Sequence, residues 1–206
     1  MFVYICTMNY VKVIASAAER VEIIPGLAMP FYPMRPTKGP SLRTADSIKK
    51  FWASTGRTQD WVIQPKMNGD RATLALVGGR IYIQNRHGGW YGHSADTTPF
   101  LRLPDRTVLD GEVYQGHFHP FEALAINGRS LLRCTVTERE VMACQLTRLV
   151  GQQWMFGRPD RRWLLAAQQC SEWDGVVLKR AASCYTILGS DTQMSETWFK
   201  RTWKKS

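Results

Sequence analysis

Lys66 sits in the string Gln64-Pro65-Lys66-Met67-Asn68-Gly69-Asp70-Arg71, and four later segments carry groups that a reactive lysine would use. They are Leu109-Asp110-Gly111-Glu112, Phe121-Glu122-Ala123-Leu124, Asp174-Gly175-Val176-Val177-Leu178-Lys179 and Trp198-Phe199-Lys200. Together these residue types can support attack of a lysine amine on phosphorus. The amine must be neutral to attack, whereas an unperturbed lysine is protonated at neutral pH. Neighbouring cations and partial burial favour the free amine. Lys179, Lys200, Arg71 and Arg86 would supply that positive field and stabilise charge on a transferring phosphoryl group and a departing pyrophosphate. Glu112 and Asp174 would hold a divalent ion or bind ribose hydroxyls. Phe121 would stack on a base, and Gly69 would let the backbone turn tightly and approach a nucleotide.

Each string has a plainer reading when taken alone. Lys-x-x-Gly turns up by chance about once in a chain of this size. Asp110-Gly111 and Asp174-Gly175 read equally as turns, Phe121 as core and Lys200 as a solvated edge residue. Order and co-occurrence carry the signal. No rival nucleotide motif competes, since the chain has neither G-x-x-x-x-G-K-[ST] nor G-x-G-x-x-G after a strand.

The chain has 206 residues, enough for a substantial core, and its 44% hydrophobic content excludes a disordered protein. Its formal net charge of +10, spread along the sequence, suits a polyanionic partner such as nucleic acid. Cys6, Cys134, Cys144, Cys170 and Cys184 are odd in number and show no C-x-x-C spacing. A disulfide framework or zinc site is therefore not expected, and a reducing cytoplasm is the simplest setting. His117 and His119 form an H-x-H pair without a second ligand cluster, read as an exposed loop pair. No apolar run reaches membrane-spanning length, and Met1 to Cys6 lacks the features of a signal peptide. Met1 and Met8 both remain possible starts.

Residues Pro25 to Pro40, with Pro30, Pro33 and Pro36 between them, predict an extended lead-in rather than a helix. Thr44 or Ser47 predicts a helix cap, with Ile48, Phe51 and Trp52 on one face through about Ser54. Trp61-Val62-Ile63 reads as a strand delivering Lys66 at its end. Arg71 to Val77 and Arg80 to Gln84 read as a hairpin turned by Gly78-Gly79. Further strands are expected at Thr107 to Tyr114, Phe121 to Ile126, Gly175 to Lys179 and Thr197 to Trp203, with a turn at Asn127-Gly128. Thr137-Glu138-Arg139-Glu140 matches a capping box for a helix closed by Gly151, and Arg161 to Cys170 reads as another helix. Strands outnumber helices and often adjoin, which predicts an α+β fold of antiparallel sheets flanked by helices.

Read in order, the motifs resemble the ATP-dependent DNA ligases, within the superfamily that also holds RNA ligases and mRNA capping enzymes. The likeness runs from Phe31-Tyr32-Pro33-Met34 to Lys200. It implies a lead-in over residues 1–43 and an adenylation (nucleotidyltransferase) domain over 44–206. Lys66 maps to the lysine that becomes adenylated, and Arg71 to the arginine contacting the ribose. Arg86, in Asn85-Arg86-His87-Gly88, maps to the arginine that helps bind phosphate at a nick. Glu112 maps to the glutamate that binds ribose and assists the metal, Phe121 to the aromatic stacked on adenine, and Gln64 to the residue reading the adenine edge. Asp174 maps to the metal-binding acid, and Lys179 and Lys200 to lysines on the phosphates.

The resemblance implies ATP and magnesium (or manganese) as cofactors, and a nicked double-stranded DNA bound without sequence specificity, as in DNA replication and repair. A monomer in a bacterial or phage-infected cytoplasm is expected. The sequence departs from the family pattern at Asn68, where an aspartate is usual, at Asp174, where glutamate is commoner, and at Thr202, where a second lysine is usual and Lys204 follows. The chain ends soon after Lys200, so no C-terminal oligonucleotide-binding (OB) domain is expected within it, and a separate OB-fold or other partner chain could complete the site. Two other readings stay open: an RNA ligase of the same superfamily, and a non-catalytic nucleic-acid-binding module that keeps the fold.

Overall fold

A computed structural model describes residues 20–39, 44, 46–47, 50, 53, 60–151 and 173–203. The expected helices over 44–54 and 161–170, the segment 1–6 and Lys204 lie wholly or largely outside the described residues.

Alternating apolar residues and glycine-rich turns build a five-stranded antiparallel sheet. Its strands are β5 (Asp70–Val77), β6 (Arg80–Asn85), β7 (Thr107–Tyr114), β8 (His117–Ile126) and β9 (Arg129–Ser130), in the order β6-β5-β7-β8-β9. Gly78 and Gly79 at φ 56° and 70° turn β5 into β6, a left-handed pair that favours glycine and matches strand twist. Asn127 and Gly128, at φ 49° and 77°, turn β8 into β9 in the same way. The expected strand at Phe121 begins four residues earlier, so His117 and His119 sit on β8 and not on a loop. Among the described residues no cluster of His, Cys, Asp or Glu is large enough to hold a metal by itself, and Cys134, Cys144 and Cys184 are free.

A second sheet has four strands in the order β3-β11-β10-β4. They are β3 (Pro36–Lys38), β4 (Trp61–Met67), β10 (Trp173–Arg180) and β11 (Ser195–Thr202). Lys66 is the penultimate residue of β4, at the end of its strand as expected, and the strand runs four residues past Ile63. Asp110-Gly111 and Asp174-Gly175, which could have been turns, are strand interiors. Glycine is required at the second of these pairs by close approach, because a Cβ on Gly175 would sit 2.1 Å from the Arg201 carbonyl.

Both faces of the five-stranded sheet are covered. Ala72, Leu74, Leu76, Leu109, Phe118 and Ala123 pack under helix α1 (Val136–Leu149), with Ala143 and Leu146 from the helix. Ala75, Val108 and Leu124 face the other way, against Tyr185, Trp198 and the lead-in residues Ile23, Leu27, Met29 and Met34. The lead-in is thus more than an extended wrap. β1 (Val21–Ile24) and β2 (Leu27–Met29) form a hairpin, and β3 joins the second sheet in parallel with β11. Gln84 ties it down by accepting from the Phe31 N–H at 2.8 Å and donating to the Phe31 carbonyl at 2.7 Å.

The capping box of α1 lies two residues before the expected position. Thr135 is the N-cap, its hydroxyl accepting from the Glu138 N–H while the Glu138 carboxylate accepts from the Thr135 N–H. The Thr137 to Glu140 spacing fits the same pattern, but Glu140 is 4% exposed and faces the protein interior. Gly151, at φ 73°, follows the helix as expected.

Candidate active site

Strand register assembles one wall of the site. In the second sheet Gln64 lies opposite Val177, and Val177 opposite Lys200; Lys66 pairs with Gly175, and Lys179 with Trp198. Residues two apart on a strand share a face. Gln64, Lys66, Val177, Lys179, Trp198 and Lys200 therefore face one way, and all line a cavity of about 520 Å³. The opposite wall comes from the five-stranded sheet, where Arg71 pairs with Glu112 and Glu112 with His119. Phe121, two residues further along β8, joins that wall, and Arg35 and Arg86 also line the cavity.

The structure gathers the predicted residues Gln64, Lys66, Arg71, Arg86, Glu112, Phe121, Lys179 and Lys200 around this cavity. Asp174 is not on its lining and reaches the site through Lys66. The Lys66 Nζ donates to both carboxylate oxygens of Asp174 at 2.8 Å. Gly69 is held against protein, since a Cβ there would lie 2.3 Å from the Val113 carbonyl.

Arg71 spans the two walls. Its guanidinium forks onto Asp110, with Nε 3.1 Å from Oδ1, and lies 5.3 Å from the Phe121 ring centroid and 5.8 Å from that of Trp198. Asp110 is fully buried and also accepts from the Tyr185 hydroxyl at 2.7 Å. Lys179 is 1% exposed, donates to Glu122 Oε1 at 2.7 Å and sits 4.0 Å from the Trp198 ring centroid. Burial pushes its pKa below the usual lysine value, against the pull of Glu122 and Glu140. Lys200 is also lowered, by burial first and then by the charges of Lys66, Arg35, Arg86 and Lys38. Burial raises the Glu112 carboxyl to about 7, although Arg71, Lys66 and the Gly69 N–H all favour its ionised form.

Motif reading missed a set of charges behind this wall. Glu122, next to Phe121, accepts from both Lys179 and Arg139, and all three are nearly or fully buried. Glu140 accepts from Gln64 Nε2 at 2.8 Å. Charged residues at positions 122, 139 and 140 have no spacing that separates them from solvated ones. Arg35 was also missed, and its position immediately before Pro36 of β3 offered no chemical signal.

Six cations line the cavity, namely Arg35, Lys66, Arg71, Arg86, Lys179 and Lys200, against the carboxylates Asp70 and Glu112. That balance suits a phosphate-rich ligand, and the aromatic Phe121 beside it suits a base. Asp174 and Glu112 offer hard oxygen donors close to Lys66. Such a pair fits a magnesium-type ion whose remaining ligands are phosphate and water oxygens.

No protein-family model and no curated protein sequence matches the chain. Solved structures do. A mycobacterial DNA ligase D complexed with ATP and MES superposes with a TM-score of 0.58 at 18% identity, covering 84% of this chain and 60% of that one. The ligase domain of M. tuberculosis LigD gives 0.60 at 18% identity, covering 84% of this chain and 59% of that one. The chain has the fold of a DNA ligase nucleotidyltransferase domain. A structure from work on Lig E DNA ligases matches with a TM-score of 0.52 at 12% identity, over 82% of this chain and 68% of that one. The chain thus spans about three fifths of the length of the two mycobacterial ligase structures. Within this ligase-type fold Lys66, Glu112 and Lys179 come from three different strands of two sheets, so the cavity exists only once both sheets have formed. Among the described residues no helix is long and apolar enough to cross a membrane.

Proposed function

We propose that this chain is an ATP-dependent DNA ligase that seals nicks through a lysyl-AMP intermediate on Lys66. The observation that carries the reading is a lysine amine in a ligase-type fold, sharing one cavity with five other cations, Glu112 and Phe121. Lys66 Nζ, freed from Asp174 and deprotonated, forms an N–P bond to the α-phosphorus while the bond to the pyrophosphate oxygen breaks. An oxygen of the 5′-phosphate at the nick then attacks the AMP phosphorus, the N–P bond breaks and the amine is released. Finally the 3′-hydroxyl attacks the activated 5′-phosphate, AMP leaves, and the hydroxyl proton passes to solvent.

Phe121 stacks on adenine, and Arg71 and Glu112 hold the ribose. Lys179 and Lys200 neutralise the α-phosphate, and Arg86 at the exposed rim grips the 5′-phosphate. A magnesium or manganese ion held by Asp174 and Glu112 would supply Lewis-acid neutralisation of the phosphate oxygens. Backbone phosphates rather than bases would be gripped, giving little sequence preference.

Intact-protein mass after incubation with ATP and magnesium tests the first step. A gain of one AMP in the wild type and none in Lys66→Ala is the expected result. No gain in either protein would sink the proposal. Joining of matched DNA and RNA nicks by the labelled protein separates a DNA ligase from an RNA ligase.

A further inference from the structure

Gln64 offers the cavity one kind of atom. The residue lines the cavity and is 3% exposed, and both hydrogens of its amide are taken. Nε2 donates to the Phe121 carbonyl at 2.9 Å and to Glu140 Oε1 at 2.8 Å. Among the described residues no group donates to the amide oxygen, and that oxygen is not one of the buried polar atoms sealed off without a partner. What remains for a ligand is an acceptor.

Turning the amide over would bring its oxygen against two acceptors. The Phe121 carbonyl can never donate, so the flipped state always loses one bond and gains one repulsion. Glu140 supplies the second lock from outside the cavity lining, across the interface between α1 and the second sheet. Burial raises its carboxyl to about 8, with Lys179 opposing and Glu122 reinforcing the rise. Ionised, that carboxylate can only accept and the lock is complete; protonated, its free oxygen still accepts from Gln64, and the Phe121 carbonyl alone then bars the flip.

We propose that Glu140 is a positioning residue for nucleobase selection, fixing the Gln64 amide with its oxygen toward the cavity. The site then takes a purine bearing an amino group at its six-position and rejects one bearing a keto group there. This rests on the nucleotide reading given above, and it assigns the discrimination to a residue that need not touch the nucleotide. A keto oxygen facing the Gln64 oxygen leaves two buried acceptors unpaired, the kind of mismatch that sites built for hydrogen bonding reject strongly. Glutamine at position 140 would present either an oxygen or an amino group to Gln64, and the amide would lose one of its two locks. Aspartate would keep a carboxyl partner, acceptor-only when ionised.

The test is the rate of Lys66 nucleotidylation against concentration of ATP and of inosine triphosphate, read by intact mass on the full chain. Inosine differs from adenosine only in its six-keto group and ring N–H. The wild type is expected to prefer ATP by at least about 100-fold in the rate at low nucleotide. Glu140→Gln is expected to narrow that preference by about tenfold or more, through weaker half-saturation by ATP rather than a slower maximal rate. Glu140→Asp is expected to retain more of the preference than Glu140→Gln. If Glu140 serves only to balance Lys179, Glu140→Gln will keep the wild-type ratio, and the inference is overturned. Equal labelling of the wild type by both nucleotides overturns it alone, whatever the folding of the variants. No adduct with either nucleotide overturns the ligase reading and this inference together.

Discussion

The Lys66 amine and the Asp174 carboxylate form a two-pronged ion pair, with Nζ 2.8 Å from each oxygen and both side chains largely shielded from solvent. An ammonium so held has no lone pair to offer phosphorus. A cation that draws Asp174 away would therefore do two things at once, neutralising phosphate charge and releasing the amine. Asp174→Asn should raise the magnesium concentration that half-saturates Lys66 labelling by about tenfold or more. Labelling of the variant as a function of magnesium checks this, and an unchanged half-saturation would remove Asp174 from the metal site.

Glu112 couples stability to ligand binding with opposite signs. Its carboxyl is raised to about 7, chiefly by burial, from 4.5. The folded protein thus holds a proton there that the unfolded chain has lost. Its contribution is fully present below about pH 4.5 and is lost as the pH rises through about 7, amounting to a few kcal/mol at most. In chelator, wild-type stability should decline over that interval relative to Glu112→Gln, as measured by urea unfolding at stepped pH. Magnesium competes with the same proton, so metal affinity should climb through the same window in the wild type. Glu112→Gln should lose that climb.

Much of the wall from the five-stranded sheet was readable because period-two apolar runs and glycine turns mark strands locally. Thr107 to Tyr114 falls on the expected bounds, and the motif residues ride on those strands. What sequence could not convey was which strands share a sheet, since β4 pairs with β10 and β11 with β3 only after long chain excursions. Buried charge was equally silent. Nothing in the sequence marks Glu122, Arg139 and Glu140 as buried, because burial of a charge depends on partners distant in sequence. Glu140 was absorbed into a capping pattern that Thr135 and Glu138 satisfy instead.

Asp110 holds Arg71 in place from a fully buried position. Removing it strands a guanidinium that has little access to water. Asp110→Ala should cost about 3–5 kcal/mol of unfolding free energy. Tyr185→Phe, which removes a donor to the same carboxylate and the acceptor of the Met34 N–H, should cost about 1–3 kcal/mol. Denaturant unfolding of the two variants decides the ranking, and equal costs would mean that Arg71 is anchored mainly by its aromatic neighbours.

Gly175 lets β10 and β11 approach where Lys66 pairs across β10. A Cβ placed 2.1 Å from the Arg201 carbonyl would have to push the strands apart. Gly175→Ala should lower stability by about 1–3 kcal/mol. It should also slow Lys66 labelling, because Asp174 and Lys200 move with those strands. Labelling at a temperature where the variant is fully folded separates the two effects. A folded variant that labels at the wild-type rate would show that the strand spacing here is not tuned to the chemistry.

Arg86 sits at the exposed rim, its Nε donating to His87 Nε2 at 3.0 Å, while His87 Nδ1 lies 3.2 Å from Asp191. That chain leaves the other guanidinium nitrogens directed to solvent or ligand, suiting a phosphate that arrives with the nucleic acid rather than with ATP. Binding of a nicked duplex to this basic chain should weaken steeply with salt as counterions are released. Arg86→Ala should weaken affinity at every sequence alike and flatten the log–log salt slope by about one. It should also slow joining more than it slows Lys66 labelling. Fluorescence anisotropy across a salt series, with and without a 5′-phosphate at the nick, provides the check. An Arg86→Ala variant with an unchanged slope, or one that loses affinity equally for phosphorylated and unphosphorylated nicks, would place the 5′-phosphate elsewhere on the basic rim.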